Sequence, residues 1–88
     1  MDLDEIFKEA VILVQNLNKK VSQHNLLKLY GLYKQSNFGD NNKPKPLMIQ
    51  TKELYKWEAY IKYKGMSQDD AKKEYSKLVA DIIKQDSI

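Results

Sequence analysis

Apolar side chains recur three or four positions apart in four separate stretches of this chain, and nowhere do they alternate at period two, so the pattern predicts an all-α fold. The first stretch runs from Leu3 to Leu17 through Ile6, Phe7, Ala10, Val11 and Val14, with Asp2 or Asp4 available as its N-cap. The second opens after Ser22, a second cap candidate, and carries Leu26, Leu27, Leu29, Tyr30, Leu32 and Tyr33 before Asn37-Phe38-Gly39-Asp40 stops it. Its apolar surface is wider than one core stripe requires, so two of its faces are available to different partners. Thr51 is placed to cap a third helix carrying Leu54, Trp57, Tyr60 and Ile61 to Lys64, with Gly65 just beyond its end. Ser67 is placed to cap a fourth, in which Asp69 and Asp70 face the positive end of the helix dipole and Ala71, Tyr75, Leu78, Val79 and Ile82 form the buried stripe.

Between the second and third helices, Pro44 and Pro46 lie too close together to sit inside a helix, and the segment from Gly39 to Gln50 reads as a long crossover. The expected architecture is a four-helix bundle. Short connections favour antiparallel packing of helix one on two and of three on four, while the crossover allows two and three to run parallel.

At 88 residues the chain has room for a single domain, residues 1–88, and one modest core. Without cysteine, neither a disulfide nor a thiolate metal site can reinforce that core, and stability must come from helix packing. The acidic start, Met1-Asp2-Leu3-Asp4-Glu5, is unlike a basic targeting signal, and the longest apolar run is only Ala10 to Val14. The C-terminal Asp86-Ser87-Ile88 matches no retrieval or lipidation signal. The expectation is a cytoplasmic monomer with no stable membrane anchoring.

Charge changes the picture because it is uneven. Residues 1–18 carry one lysine against four acids, residues 65–88 four against five, and residues 19–64 ten against three. A positive middle segment favours an anionic partner, although a solvated lysine-rich face accounts for charge alone equally well. All fifteen basic residues are lysine. The absence of arginine disfavours sequence-specific DNA reading, which leans on bidentate guanidinium contacts.

Candidate chemistry is sparse. With His24 as the single histidine, no cysteine and no metal-ligand spacing among the acids, neither a catalytic triad nor a closed metal site can be assembled. The informative cluster is Tyr30-Gly31-Leu32-Tyr33-Lys34-Gln35, where Tyr30 and Lys34 stand one helical turn apart and can stack on a base and grip a phosphate together. Lys52 and Lys56 repeat the one-turn spacing at the start of helix three. Each pair also fits an ordinary surface, and Trp57 and Phe7 fit ordinary core stripes. Tyr30 and Tyr75 also fit buried hydroxyls.

Taken in order, Tyr30-x-x-Tyr33-Lys34-Gln35, Gly39-Asp40, Lys56-Trp57-x-Ala59-Tyr60, Lys64-Gly65-x-Ser67 and Ala71-x-x-x-Tyr75 resemble the acyl-coenzyme-A-binding protein family over essentially the whole chain. The resemblance implies a helical bowl whose rim holds the nucleotide end of coenzyme A while the acyl chain lies across the helices. It implies that Tyr33 stacks on adenine, that Tyr30, Lys34 and Lys56 bind the ribose 3′-phosphate, and that Lys52 adds a phosphate contact. It further implies that Tyr75 faces the pantetheine and thioester, and that Phe7, Val11, Leu26 and Leu27 line the acyl groove. Gln15 stands where the family often has a lysine near the adenine, and Tyr60 replaces a second tryptophan.

The function so implied is non-catalytic carriage of medium- to long-chain fatty acyl-CoA esters, with the ester as ligand, no cofactor and no nucleic-acid partner. Burying roughly ten methylenes at about 0.8 kcal/mol each is worth about 8 kcal/mol before entropy losses. Two alternatives remain on composition alone: a helical nucleic-acid-binding domain, which the basic middle supports, and a protein-interaction bundle docking through the wide surface of helix two.

Overall fold

A computed structural model describes residues 2–17 and 20–85, so Met1, the Asn18-Lys19 pair and the terminal Asp86-Ser87-Ile88 lie outside the described residues. Four helices follow in order: α1 Leu3–Gln15, α2 Gln23–Phe38, α3 Thr51–Ile61 and α4 Gln68–Gln85. Among the described residues there is no strand.

Each helix end has a local cause. Asp2 caps α1 by accepting a hydrogen bond from the Glu5 amide at 2.9 Å. The helix stops at Gln15, two residues short of Leu17, where both the backbone N–H and the side-chain amide of Asn16 donate to the Ile12 carbonyl. Leu17 nevertheless folds back to pack against the core. Ser22 caps α2 through the Asn25 amide at 3.2 Å, and Gly39, with φ of 76°, ends it in the left-handed region that side chains avoid.

α3 departs from expectation at both ends. Thr51 is its first residue and not its cap; the cap position is Gln50, which makes no side-chain cap bond because its Oε1 accepts from the Leu47 amide instead. The helix ends at Ile61, and residues 62–65 continue as tight turns with Tyr63 N–H on the Tyr60 carbonyl and Lys64 N–H on that of Ile61. Gly65 is left-handed, as its sequence position predicts, but closes this turn and not the helix itself. Ser67 caps α4 through the Asp70 amide at 3.0 Å.

The core gathers Phe7 and Ala10 of α1, Leu29 and Leu32 of α2, and Tyr75, Val79 and Ile82 of α4. The expected neighbours are wrong: α4 packs on both α1 and α2, and α2 also packs on α3, while among the described residues the backbone of α1 does not come close to that of α2 nor that of α3 to that of α4. The reason is that the α4 stripe is wide enough to serve two partners, so it lies between the α1 and α2 backbones, which meet through side chains such as Phe7 and Tyr33. Asp4 pairs with Lys72 and Phe7 meets Tyr75, so α1 and α4 run parallel. The Ser36 carbonyl accepts from Gln68 while the earlier Tyr33 meets the later Tyr75, so α2 and α4 run antiparallel.

Among the described residues α2 is the one helix that α3 packs on, and that contact is intimate. A Cβ at Gly31 would collide with the Ala59 carbonyl oxygen, so the two backbones touch where only glycine fits. A polar staple reinforces the same end of the molecule. The buried Gln35 amide donates to the Asp40 carboxylate and to the Met66 carbonyl, both at 2.8 Å, and Asp40 also accepts from the Gly65 amide. These donors hold the Asp40 carboxyl below the usual carboxylate range, the Gly65 N–H having the largest effect.

Candidate functional site

Two faces of α2 serve neighbours and a third stays open. Leu29, Leu32 and Ser36 turn into the core; Leu27, Gly31 and Lys34 turn toward α3; and Leu26, Tyr30 and Tyr33, spaced four and three residues apart, form a stripe between those faces. Since α1 and α3 do not pack on each other, this stripe is the floor of an open trough with α1 as one wall and α3 as the other.

On the α3 side the trough contains a cleft of about 130 Å³ bordered by Tyr30, Lys34, Lys56, Tyr60, Asn41 and Lys43, with Pro44 and Pro46 of the crossover above. The Lys56 ammonium lies 5.8 Å from the Tyr30 ring centroid, and the Lys34 ammonium lies 4.6 Å from that of Phe38 and 5.9 Å from that of Tyr60. Both lysines are half-buried. Burial, and secondarily Glu53 at the cleft edge, push the Tyr30 phenol above its ordinary pKa. At neutral pH it is therefore a hydrogen-bond donor. The Tyr60 phenol, likewise raised chiefly by burial, donates to the Gly39 carbonyl at 2.7 Å, and the Trp57 indole donates to the Lys43 carbonyl at 2.8 Å. These two bonds strap the crossover onto α3 and give the cleft its roof.

Trp57 thus has a different place from the core stripe expected for it. Leu54, Trp57 and Ile61 are only half-buried, and the buried aromatic of α3 is Tyr60.

On the α1 side lies a wider depression of about 550 Å³ lined by Phe7, Val11, Ile12, Tyr33 and Asn37, with Lys8 and the Asp4–Lys72 ion pair at its edge. Tyr33 is 41% exposed and tilts toward Phe7 with ring centroids 6.1 Å apart. Tyr75 lies beneath: its ring meets Phe7 edge-on at 5.1 Å, only 4% of its surface is exposed, and burial pushes its phenol up to about 12.

The structure therefore brings Tyr30, Lys34 and Lys56 into one cleft and Phe7, Val11 and Tyr33 into one depression with Tyr75 below. Leu27 lines a third depression, of about 490 Å³, against Ala59 and Tyr63 on the far flank of the α2–α3 contact, with His24 at its edge. Leu26 stands exposed on the α2 stripe. Gln15 is exposed at the end of α1 and Lys52 at the start of α3, and neither borders the two clefts. Tyr60 and Asn41 are site-forming residues that sequence reasoning did not assign. The signal for Tyr60 was its position one turn beyond Lys56; nothing in the pattern distinguished Asn41 from its loop neighbours. Among the described residues no group of histidine and acidic side chains is placed to hold a metal ion.

Residues 4–79 match the profile of the family described as acyl CoA binding protein. The chain is 47% identical over 81 residues to an acyl-CoA-binding protein of Saccharomyces cerevisiae, covering 92% of this chain and 93% of that one. It is 43% identical over 77 residues to acyl-CoA-binding protein homolog 1 of Caenorhabditis elegans, covering 88% and 90%. Among solved structures, the crystal structure of Oryza sativa acyl-CoA-binding protein 2 superposes with a TM-score of 0.91 at 31% identity, over 98% of this chain and 94% of the other. The solution structure of the yeast acyl coenzyme A binding protein does so with a TM-score of 0.72 at 46% identity, over 93% and 95%.

Proposed function

This chain belongs to the acyl-CoA-binding protein family, and from that premise we propose that the trough over α2 is where it holds its ester, the nucleotide end on the α3 side and the acyl chain toward α1. The protein is a non-catalytic carrier that binds acyl-CoA esters. No resident cofactor is needed for that task. The relatives lend no support to the nucleic-acid or protein-docking alternatives.

In this reading Lys34, Lys56 and the Tyr30 phenol converge on the ribose 3′-phosphate, since a 130 Å³ cleft suits a phosphate group better than a whole nucleotide and offers two ammonium groups and a neutral hydroxyl donor. Tyr33, open on its outer face, stacks on the adenine; Lys52 and Gln15 supply outer contacts as the ligand passes over the ends of α3 and α1. Phe7 and Val11 receive the alkyl chain, with Tyr75 closing the floor near the thioester and Leu26 extending the apolar floor along α2, while Leu27, in the depression on the far flank of the α2–α3 contact, stands apart from this surface. The protein acts as a cytoplasmic monomer of one domain. Among the described residues no helix is long and apolar enough to cross a membrane.

The observation that carries this reading is that α2 lays Tyr30 and Tyr33 along one open floor, with lysines on one wall and Phe7 on the other. Calorimetry across an acyl-chain series tests it. Affinity should rise with chain length and level off once the tail outruns the depression; equal affinity for acetyl and palmitoyl esters contradicts it.

A further inference from the structure

The crossover ends in a feature that neither the core nor the trough uses. Leu47, Met48 and Ile49 are three consecutive large apolar side chains, exposed by 67%, 83% and 87%. They project because the backbone beneath them is closed: the Gln50 N–H donates to the Leu47 carbonyl at 2.9 Å, and the Leu47 N–H donates to the Gln50 side chain at 3.1 Å. Pro46 fixes the approach to this turn and α3 begins at its exit, so the apolar tip is held out on a short, rigid mount.

What surrounds the tip selects its partner. Lys43 and Lys45 precede it, Lys52 follows it, and no ion pair among the described residues engages any of the three. Tyr55, 58% exposed, stands one turn into α3 and shares a depression with Lys45. A small apolar wedge flanked along the chain by unpaired ammonium groups and an amphipathic phenol matches the layered interface of an anionic bilayer, where acyl chains, glycerol and headgroup phosphates succeed one another outward. A protein partner would need a socket matched to this protrusion, and nothing in the unpaired flanking lysines favours that over lipid phosphates.

We propose that the Leu47-Met48-Ile49 tip is a reversible docking wedge for anionic membrane surfaces. Three side chains are too few for stable anchoring, so the contact is transient. Pro44 and Lys43 belong both to the roof of the Lys34–Lys56 cleft and to the base of the wedge, so docking sets the trough beside the lipid surface. Met48, Ile49 and Lys45, the residues substituted in the test, lie outside the proposed ester site, so the test is separate from that of the ester site.

The experiment is vesicle flotation with the ligand-free full chain, comparing vesicles of phosphatidylcholine alone with an equal mixture of phosphatidylcholine and phosphatidylserine. The wild type should float with the mixed vesicles and release as salt rises. A Met48→Ser, Ile49→Ser double variant should lose about tenfold or more in partitioning, and Lys45→Gln about fivefold. Leu13→Ser, an equally conservative loss of an exposed apolar side chain on α1, should change nothing. The tip variant should keep the wild-type melting temperature and, without vesicles, the wild-type affinity for acyl-CoA. The proposal is overturned if wild type ignores anionic vesicles, if the tip variant floats as well as wild type, or if Leu13→Ser is equally impaired. It is also overturned if the tip variant loses acyl-CoA affinity without vesicles, or if the tip captures a folded protein while ignoring lipid.

Discussion

The two walls of the α2 trough are built on opposite plans. On the α1 side the wall is backed by α4 and the core, so Phe7 and Tyr75 sit edge to face on a rigid base, and the surface above them is wide and mostly apolar. On the α3 side the wall has no such backing. It rests on α2 through the Gly31–Ala59 backbone contact and is roofed by the crossover, and its cleft is about a quarter of the volume of the depression opposite. A molecule that is alkyl at one end and phosphorylated at the other finds two unlike environments on one floor. The apolar wall borrows its stability from the core, whereas the charged wall depends on a few specific polar and steric contacts.

Substitutions that strike one wall only should separate the two plans. The largest effect is expected for Gly31→Ala, because the new methyl would collide with backbone that cannot swing aside. Overpacking of this kind costs about 1–3 kcal/mol, and more where backbone must move. Denaturant unfolding should show that loss, and calorimetry should show weakened ester binding as α3 is pushed off α2. If stability and affinity are both unchanged, the α2–α3 contact is not as close as the collision with the Ala59 carbonyl requires.

Tyr33→Ala should do the reverse, weakening the ester by about 1–3 kcal/mol through loss of stacking while leaving the melting temperature close to wild type. A variant that melts much lower but binds normally would make Tyr33 a structural residue.

The smallest effect is confined to alkali. Tyr75 is raised by burial from an ordinary 10.0 to about 12, so the folded state holds its phenolic proton more tightly than the unfolded state does. Its contribution is fully present below pH 10 and is lost as pH rises from 10 toward 12. Denaturant midpoints for wild type should fall across that window, and Tyr75→Phe should flatten the fall. An identical alkaline slope in the variant assigns the loss to other groups.

The same contrast explains what the sequence could and could not disclose. The inner faces of α1 and α4 were legible because both pack on a single core, which imposes the three-and-four spacing at Phe7, Ala10, Tyr75, Val79 and Ile82. The four helices and the Ser22 and Ser67 caps were legible for similar local reasons. Helix pairing was not, since loop length limits which helices can meet while the width of the α4 stripe decides which ones do. The end of α3 was misjudged because Gly65 serves a turn tied to Asp40, a contact 25 residues away that no local rule contains. In the trough, Tyr30, Lys34 and Lys56 stood out as a cation and aromatic cluster. The separation of Leu27 from Phe7 and Val11 depends on which flank of α2 each neighbour covers, and that is a property of packing alone.

The central claim is that the α3 wall recognises the ribose 3′-phosphate and does more than attract negative charge. The measurement is a cycle at fixed ionic strength: wild type and a Lys34→Ala, Lys56→Ala double variant, each titrated with an acyl-CoA ester and with its 3′-dephospho counterpart. A charge-assisted hydrogen bond contributes about 1.5–3 kcal/mol, so wild type should prefer the phosphorylated ester by about tenfold or more, with the gap narrowing as salt rises. The double variant should lose most of that preference, and Lys45→Ala, outside the cleft, should keep it. If wild type cannot tell the two esters apart, or if Lys45→Ala erases the preference as fully as the double variant does, the cleft formed by Tyr30, Lys34 and Lys56 is not a phosphate site.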